Sequence, residues 1–310
     1  MTNKTFIQAL RRGVPMILDG GLATQLEAQG CDLGNALWSA SLLQSNPEAI
    51  VTATRAYLDV GAECVATASY QASRDGFATQ GLSAIEADEL MRLSVELAKR
   101  ARDEYLQDNP GLGFVPLVAG SLGPYGAMLH DGSEYSGDYG VTAETLRSFH
   151  ASRLALFDRC GVDVLALETI PSKVEAEVLA DLLVECSTPA WISFSCRDGA
   201  HVVDGTPLEE VAALFADHPT VVAVGINCTP PQFAPELLAR LRGAAPAKAI
   251  MAYPNSGETY HVEDNSWSGT VTPGDCAEAA LAWVDAGAKI VGGCCRMGPE
   301  HIRAIRDALR

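Results

Sequence analysis

Adjacent cysteines follow a strand-like run near the carboxyl terminus of this 310-residue chain. Ile290 and Val291 are β-branched residues suited to a strand, and two glycines separate them from Cys294 and Cys295. A disulfide between neighbouring cysteines would close a cramped ring, because ordinary bridges need Cα atoms about 4.4–6.8 Å apart with facing Cβ vectors. Simple packing would be better served by valine. A soft metal ion is the third explanation of the doublet.

A third cysteine, Cys228, follows another strand-like run and would complete a thiolate-rich site. Zinc accepts tetrahedral sulfur ligands at about 2.3 Å, and three protein ligands leave the fourth position open for a substrate. Neighbours in a strand point to opposite faces, so Cys294 and Cys295 can share a metal only where the strand ends or bulges. Gly292 and Gly293 supply the backbone freedom for that change. The pattern therefore favours a zinc site.

Eight short apolar runs, each bounded by Gly, Pro or Asp, alternate with amphipathic helical stretches along the chain. Gly61, Gly161 and Gly287 each separate a helical stretch from the next run, as expected for a helix stop before a buried parallel strand. The repeats predict a (β/α)8 barrel formed as a single domain over residues 1–310. An open, doubly wound sheet remains the alternative, because periodicity does not prove closure. The predicted strands are residues 14–19, 62–69, 114–121, 162–168, 190–195, 221–227, 248–253 and 288–293, and one predicted helix covers residues 86–106.

Polar residues lie where the predicted strands end, and in a barrel these ends converge on the rim that carries active sites. Asp19 follows the first run, and Glu168 ends a very apolar one. A carboxylate in that setting is costly unless it is paired, which favours a role in a site. A turn cap is the alternative for Asp19, and a structural ion pair is the alternative for Glu168. We assign six other cysteines to packing, although one of them, Cys196, also lies at a strand end: Cys31, Cys64, Cys160, Cys186, Cys196 and Cys276.

The longest irregular insertion covers residues 123–141 and is rich in Gly, Tyr and Asp. Loops of this length often form lids or walls of sites, and the alternative is a mobile surface loop. Aromatic faces attract cations, so Trp38, Tyr70 and this loop are candidates to contact a cationic substrate. Packing in the core or at the rim is the alternative for Trp38, Tyr70 and Tyr253.

Composition limits the classes of partner. The net charge is −17, from 22 Lys and Arg against 39 Asp and Glu, which argues against nucleic acid or an anionic membrane as a partner. No apolar run approaches the ~18 residues of a membrane span, and the first residues do not resemble a secretory signal. We therefore expect a cytoplasmic protein, whose cysteines serve as core residues, catalytic groups or metal ligands. The absence of heptads and of an apolar interface stripe makes a monomer the default expectation.

Seven motifs follow the predicted strands in order: DGGLATQLEAQG, TASYQAS, GSLGPYGAMLHDGSEYSGDY, LETIP, VGINC, YPNSGE and GGCC. As a set they resemble the homocysteine S-methyltransferase family, over essentially the whole chain. GINC together with GGCC is the most specific pair. The resemblance implies a zinc-dependent (β/α)8 barrel that transfers a methyl group from S-methylmethionine or S-adenosylmethionine to the thiolate of homocysteine, forming methionine.

The resemblance also implies how the metal is held. One zinc ion per chain would be bound by Cys228 of GINC and by Cys294 and Cys295 of GGCC. Asn227 would support its ligand neighbour. Because zinc deprotonates a bound thiol, homocysteine would occupy the open position as a thiolate.

Substrate contacts follow from the same motifs. Asp19 and Glu168 would bind the amino group of homocysteine, and backbone amides near Gly20 and Gly21 would face its carboxylate.

Two other functions stay open at this point. One is a zinc and homocysteine-binding module that depends on a separate cobalamin-bearing partner, and the other is a metal-dependent barrel lyase or hydrolase.

The chain departs from the resembled family at one motif. It reads GGCCRMGP where the commoner ending is GGCCRTTP, so the difference falls on Met297 and Gly298. The three cysteines are retained, and the contact made by this loop is the part of the pattern in doubt.

Overall fold

Eight parallel strands form one sheet at the centre of the structure, a computed structural model that describes residues 3–34, 38–261, 266–269 and 271–310. These strands are β1 (Met16–Ile17), β2 (Cys64–Ala66), β3 (Leu117–Leu122), β4 (Val164–Ile170), β5 (Ala190–Phe194), β6 (Val221–Asn227), β7 (Ala249–Tyr253) and β10 (Ala288–Val291). Their order in the sheet is β1-β10-β7-β6-β5-β4-β3-β2, and neighbours pair in parallel. All eight predicted strands are confirmed.

The two edge strands of this sheet also meet. The Glu63 amide donates to the Ile17 carbonyl at 2.7 Å, and the Asp19 amide donates to the Cys64 carbonyl at 3.1 Å. Leu18 and Cys64 form a parallel bridge between these contacts. The sheet is therefore closed as a (β/α)8 barrel, and the open-sheet alternative is wrong.

Helices cover the outside of the barrel and form large parts of the connections between its strands. They are α1 (Asn3–Leu10), α2 (Leu22–Ala28), α3 (Leu42–Ser45), α4 (Pro47–Asp59), α5 (Arg74–Ala78), α6 (Ala84–Asp108), α7 (Tyr125–Leu129), α8 (Ala143–Phe157), α9 (Lys173–Leu183), α10 (Leu208–Ala213), α11 (Ala234–Ala244), α12 (Pro273–Asp285) and α13 (Pro299–Leu309). The predicted helix 86–106 lies within α6, which a capping box at Ser83 begins. No helix in the described part of the chain is long and apolar enough to cross a membrane.

Glycines end three helices where the sequence places them. Gly61, Gly161 and Gly287 have φ angles of 100°, 69° and 108°, in the left-handed region that side chains rarely adopt. Each lies immediately before the turn into a barrel strand, so it reverses the chain from an outer helix into the sheet.

Two apolar layers follow from the alternation of side chains along the strands. One layer fills the barrel, and the other packs the outer strand faces against the helices. The inner layer includes Met16, Leu18, Ala119, Ala166, Trp191, Met251 and Ile290. The outer layer includes Val65, Val118, Leu165, Ile192 and Val224.

A further strand pair was not predicted. Strand β8 (Thr259–His261) pairs antiparallel with β9 (Ser266–Ser268) after β7. The prediction missed this pair because its strands are three residues long and lack the apolar pattern of the barrel strands.

The insertion at 123–141 is more ordered than predicted. It contains α7 and a 3-10 helix at Ser133–Tyr135. Both ends are tied to Glu175 of α9, which is fully buried. The Tyr125 amide donates to Glu175 Oε1 at 2.7 Å, the Tyr139 hydroxyl donates to Oε2 at 2.9 Å, and His150 Nε2 lies 2.7 Å from Oε1. The insertion is therefore a packed wall of the barrel mouth.

Candidate active site

Three cysteine sulfur atoms meet at the carboxyl-terminal rim of the barrel. Cys228 follows β6, and Cys294 and Cys295 follow β10. Their Sγ atoms all lie within 4.8 Å of one another, and those of Cys228 and Cys295 are 3.9 Å apart. Cys228 has a φ of 45°, a left-handed conformation that is strained for cysteine and is often found at functional sites. The structure thus brings together the three cysteines singled out from the sequence.

The turn after β10 depends on glycines for space. A Cβ at Gly292 would lie 2.6 Å from the Cβ of Leu18, and a Cβ at Gly293 would lie 2.6 Å from the Cβ of Met297. Neither glycine has a left-handed φ, so the expectation that they supply unusual backbone freedom is wrong. The left-handed residue is Arg296, with a φ of 66°. The chain reverses there, after both cysteines.

Cys228 and Cys294 are joined as a disulfide in this structure, with Cα atoms 5.6 Å apart, and Cys295 is free. The donor set nonetheless fits zinc in number and in chemistry. Two sulfur atoms that each lie about 2.3 Å from a tetrahedral centre are about 3.8 Å apart, close to the separation of Cys228 and Cys295. Only a thiolate binds the metal, so the disulfide must be reduced before all three residues can act as ligands. Burial raises the pKa of the Cys295 thiol to about 11, so without a metal it is protonated at neutral pH.

Asn227, the last residue of β6, links β4 and β5 to the cysteine cluster through its side chain. It is 1% exposed, and its Oδ1 accepts hydrogen bonds from the Thr169 amide and the Ser193 hydroxyl, both at 2.7 Å. Its Nδ2 donates to Thr169 Oγ1 at 2.7 Å and lies 3.9 Å from Cys294 Sγ. Thr169 has a left-handed φ of 64°. The Asn227 side chain therefore holds a strained turn after Glu168 in place and points toward a cysteine sulfur.

Asp19 lies at the rim with its carboxylate partly satisfied. Its Oδ2 accepts a hydrogen bond from the Ala66 amide at 2.7 Å. Burial raises the pKa of Asp19 from 3.8 to about 7, the Ala66 bond opposes this rise, and the charge of Glu168 adds to it. Helix α2, which follows, has no side-chain cap, so Asp19 does not cap that helix.

Glu168 is positioned by two hydroxyl groups. Ser121 donates to its Oε1, and Tyr253 donates to its Oε2 at 3.1 Å. Burial raises the pKa of Glu168, and the two hydroxyl groups oppose the rise. In the described part of the chain, no cationic side chain offsets either shift, for Asp19 or for Glu168. The structural ion pair considered for Glu168 is thus absent among these residues. The pair of carboxylates is instead suited to a cationic group that arrives from outside.

Gly20 and Gly21 pack against the turn that follows the cysteine doublet. A Cβ at Gly20 would lie 2.1 Å from the Met297 carbonyl oxygen, and a Cβ at Gly21 would lie 2.7 Å from that of Cys294. The Gly21 amide donates to the Met297 carbonyl at 3.0 Å. These contacts give both glycines a structural role, and a substrate role for their amides stays a prediction.

The packing of the turn after β10 explains how Met297 and Gly298 are accommodated in place of the commoner residues. The Met297 side chain is fully buried against Gly293, and its carbonyl also accepts a hydrogen bond from the Tyr57 hydroxyl at 3.1 Å. Gly298 begins α13, and its amide donates to His301 Nδ1 at 3.2 Å. The departure from the commoner motif leaves the turn well packed.

Tyr70 packs against the start of the insertion, where a Cβ at Gly123 would lie 2.7 Å from its ring. Burial raises the pKa of its hydroxyl, and the charges of Glu134, Glu168 and the Cys295 thiolate add to the rise. Trp38 begins a 3-10 turn, and its side chain lies outside the described residues.

A buried arginine supports the same wall from behind. The Arg153 guanidinium donates to the carbonyl oxygens of Gly123 at 2.8 Å and Tyr70 at 2.9 Å. It also lies over the Phe149 ring, 4.8 Å from its centroid. The loop after β2 and the insertion after β3 are therefore joined through one side chain.

A family model for homocysteine S-methyltransferase matches residues 16–309. The chain belongs to this family. It is 45% identical over 293 residues to homocysteine S-methyltransferase YbgG of Bacillus subtilis, covering 94% of this chain and 93% of that protein. The solved homocysteine methyltransferase MmuM of Escherichia coli matches in its metallated form, with a TM-score of 0.86, 43% identity and coverage of 96% of this chain and 99% of that one. Its oxidized form matches with a TM-score of 0.87, 42% identity and coverage of 99% of both chains.

As a member of the homocysteine S-methyltransferase family, the protein is an enzyme of the methyltransferase class. Sequence reasoning weighed packing against ligand contact for Tyr253, and it missed the contacts of Ser121 and Thr169. Their positions carried a signal, since Ser121 lies near the end of β3 and Thr169 near the end of β4, where the rim was expected. Their partners are distant in sequence, however, and no local pattern reveals them.

Proposed function

We propose that this protein transfers a methyl group from a sulfonium donor, S-methylmethionine or S-adenosylmethionine, to the thiol sulfur of homocysteine. The observation that carries this proposal is the convergence of three cysteine sulfur atoms within 4.8 Å beside two half-buried carboxylates that have no cationic partner among the described residues. The sulfur cluster suits a metal-bound thiolate, and the carboxylates suit an ammonium group. Homocysteine carries a thiol and an ammonium group in one small molecule.

Cys228, Cys294 and Cys295 would hold one zinc ion after reduction of the disulfide. When bound there, zinc supplies a Lewis acid that deprotonates a thiol at neutral pH, where a free thiol with a pKa of about 8.5 is mostly protonated. Asn227 keeps the Cys294 side of the cluster in register with the turn at Thr169. The metal identity and its stoichiometry are part of the proposal.

The carboxylates orient the acceptor. Asp19 and Glu168 would both accept hydrogen bonds from the homocysteine ammonium group, whose positive charge offsets the effect of Glu168 in raising the pKa of Asp19. Ser121 and Tyr253 fix the Glu168 carboxylate for this contact. Holding both reactants in line can contribute about 7–11 kcal/mol to the barrier reduction.

The transfer itself needs no base at the methyl carbon. The acceptor sulfur uses an electron pair to form a new sulfur–carbon bond, and the bond from the methyl carbon to the donor sulfur breaks. That sulfur keeps the bonding pair and leaves as a neutral thioether. The only proton lost is the thiol proton of homocysteine, before the transfer.

Loss of any one cysteine ligand is the test of this proposal. We expect Cys228→Ser, Cys294→Ser and Cys295→Ser to lose bound zinc and methionine formation together, because serine is a poor ligand for a soft metal. Zinc is measured by elemental analysis of reduced, zinc-reconstituted protein, and methionine by chromatography after incubation with homocysteine and each sulfonium donor. Separate rates for the two donors also decide which of them is used.

Cys186→Ser is the matched control, since Cys186 is a half-buried free cysteine outside the cluster. This variant should keep both zinc and turnover. Full zinc occupancy in a triple variant of the three site cysteines would contradict the assignment. We also propose a monomer with one zinc ion per chain, and sedimentation combined with zinc analysis tests both numbers.

A further inference from the structure

Four oxygen atoms form a row that leads from Glu168 to the end of β6. Glu168 Oε2 lies 3.1 Å from Tyr253 Oη, and Tyr253 Oη lies 2.5 Å from Ser193 Oγ. Ser193 Oγ in turn lies 2.7 Å from Asn227 Oδ1. Tyr253, Ser193 and Asn227 are 4%, 0% and 1% exposed, so water does not mediate these contacts. Each of the three contacts therefore needs a proton from within the row.

The direction of the hydrogen bond at Asn227 is fixed by its neighbour. The Thr169 amide donates to Asn227 Oδ1, and Asn227 Nδ2 donates to Thr169 Oγ1, so the amide oxygen is the atom that faces Ser193. An amide oxygen only accepts hydrogen bonds, and a serine hydroxyl has one proton. Ser193 therefore gives its proton to Asn227. The proton between Ser193 and Tyr253 must then come from Tyr253.

The row is one proton short when Glu168 is ionised. Tyr253 has a single proton, and both Glu168 Oε2 and Ser193 Oγ lie close enough to accept it. Whichever oxygen receives it, two buried oxygen atoms face each other elsewhere in the row without a proton, which is costly. A proton on Glu168 removes this deficit, because Glu168 then donates to Tyr253 and Tyr253 donates to Ser193. Tyr253 Oη already acts as an acceptor for Trp191 Nε1, at 3.2 Å.

The surroundings of Glu168 also oppose its ionisation. The titratable groups that its charge affects lie on β2 and β7 and in the turns after β1 and β2, and none of them is cationic: Asp19, Cys64, Tyr70 and Tyr253. Burial raises the pKa of Glu168 in the same direction. The hydrogen-bond geometry and the local charges therefore both favour the protonated carboxyl group.

We propose that Glu168 carries a proton on Oε2 in the substrate-free protein at neutral pH and releases it to water when the homocysteine ammonium group binds. This inference rests on the proposed methyl transfer to homocysteine. The O–H bond of Glu168 breaks, its electron pair stays on the carboxylate, and an ammonium N–H takes the place of the lost proton. Ser193 is then a positioning residue, which acts on the substrate through Tyr253 and Glu168.

A released proton couples ligand binding to pH. Below the pKa of Glu168 in the free protein, the affinity for an ammonium ligand should rise about tenfold per pH unit, and above that pKa it should level off. Ser193→Ala leaves the Tyr253 proton to Glu168, so it should lower this pKa and move the rise in affinity to lower pH. Methionine, the product, is the ligand to use, because it has the ammonium group and lacks a thiol proton.

The test measures the proton by spectroscopy and by calorimetry. At neutral pH, infrared spectra of protein with isotopically labelled glutamate should show a protonated carboxyl band, and the label separates this band from Asp19. The band should disappear in Glu168→Gln, in Ser193→Ala and in the wild type saturated with methionine. Calorimetry of methionine binding in buffers of different ionisation enthalpy should show about one more proton released by the wild type than by Ser193→Ala.

Ser94→Ala is the matched control, because Ser94 is fully buried and its hydroxyl donates within α6, to the Met91 carbonyl at 2.7 Å. This variant should keep the band and the proton release of the wild type. A wild-type spectrum without the band, or a band that persists when methionine is bound, would overturn the assignment, even if Ser193→Ala does not fold. Equal proton release by the wild type and Ser193→Ala would overturn it as well. Failure of the proposed function is a separate result, in which the wild-type protein forms no methionine from homocysteine and either donor.

Discussion

Asp19 and Glu168 show how single residues signal function through an unfavourable state. Each carboxylate is buried enough to raise its pKa, and each is held by neutral donors, with no cationic partner among the described side chains. Such an arrangement lowers stability relative to a paired carboxylate. The folded barrel is stable enough to bear this unfavourable free energy. An ammonium group that binds between the carboxylates removes it, and this gain adds to the affinity for the substrate.

The raised pKa of Asp19 predicts a pH dependence of stability. Between pH 3.8 and about 7 the folded chain binds more protons than the unfolded chain, so the free energy of unfolding falls as the pH rises through this range. Asp19→Asn removes the titration and keeps an acceptor for the Ala66 amide. Urea denaturation at pH 5 and pH 8 should show a decrease in the wild type that is larger than in the variant by about 1–4 kcal/mol.

The exposed Asp285→Asn in α12 is the control and should follow the wild type at both pH values. Equal changes from pH 5 to pH 8 in the wild type and in Asp19→Asn would show that Asp19 is ionised throughout this range and that its pKa is not raised.

Thr169 and Ser193 show the limit of sequence reasoning at the residue scale. Asn227 was expected to support its neighbour, and the structure shows that it does so by holding the left-handed Thr169 amide, 58 residues away in the chain. Ser193 completes the same group from another strand. The motifs place polar residues at strand ends, but which of them touch depends on barrel order and register. A pattern along the chain does not contain that information.

At the scale of elements, the insertion 123–141 is the largest departure from expectation. Its sequence is rich in glycine and lacks a helical period, so it reads as irregular. In the structure it packs through one buried carboxylate, Glu175, that accepts hydrogen bonds from both of its ends. Long-range polar anchors of this kind order a segment whose own propensity is low, and local propensity rules do not register them.

Gly126 tests this packing directly. Gly126→Ala would place a methyl group 2.5 Å from the Glu134 nitrogen and 2.5 Å from the Tyr139 ring, so the 3-10 helix must move. We expect a destabilisation of about 1–3 kcal/mol, as is usual for overpacking, in chemical denaturation.

Gly243→Ala provides the matched comparison. Gly243 lies in α11, and an added Cβ meets nothing within 4 Å. This change should stabilise the protein by about 0.5–1 kcal/mol, since alanine favours the helix more than glycine. If both glycine variants behave alike, the close approach of Gly126 to the wall has no consequence.

At the scale of the whole molecule, a cluster of ion pairs joins the first and second strands of the barrel at the end opposite to the site. Glu63 precedes β2 and is 6% exposed. Its carboxylate binds Arg12 after α1 and Arg310 at the carboxyl terminus, both at 2.9 Å, and accepts the Ile17 amide at 3.1 Å. One acid thereby joins both ends of the chain to the junction where the first strand meets the second.

Removing this charge should affect stability alone. Glu63→Gln breaks two ion pairs that are shielded on the acid side, and we expect a loss of about 1–3 kcal/mol in the free energy of unfolding. The value of kcat/KM should stay constant, because the carboxyl-terminal rim is at the other end of the strands. Glu48→Gln, which breaks an exposed pair with Arg100, should cost much less, because solvent screens that pair. Equal losses in the two variants would contradict the special role of Glu63.

The repeat of eight strands was accessible from sequence because each buried parallel strand is a short apolar run after a helix-ending glycine, as at Gly61 and Gly287. Closure of the barrel could not be predicted from these local patterns. It rests on contacts of Asp19 and Glu63 with residues on the opposite edge strand, which no run of residues reveals. The eight strands are also what allows cysteines 66 residues apart to meet.

The guanidinium of Arg153 has a thermodynamic consequence for ligand binding. By holding the Gly123 and Tyr70 carbonyls together, it makes one side of the barrel mouth a preorganised surface. The entropy loss of arranging that side occurs when the chain folds, so a molecule that settles against it later meets groups already in their final places. Affinity at this side should therefore come with little change in backbone order.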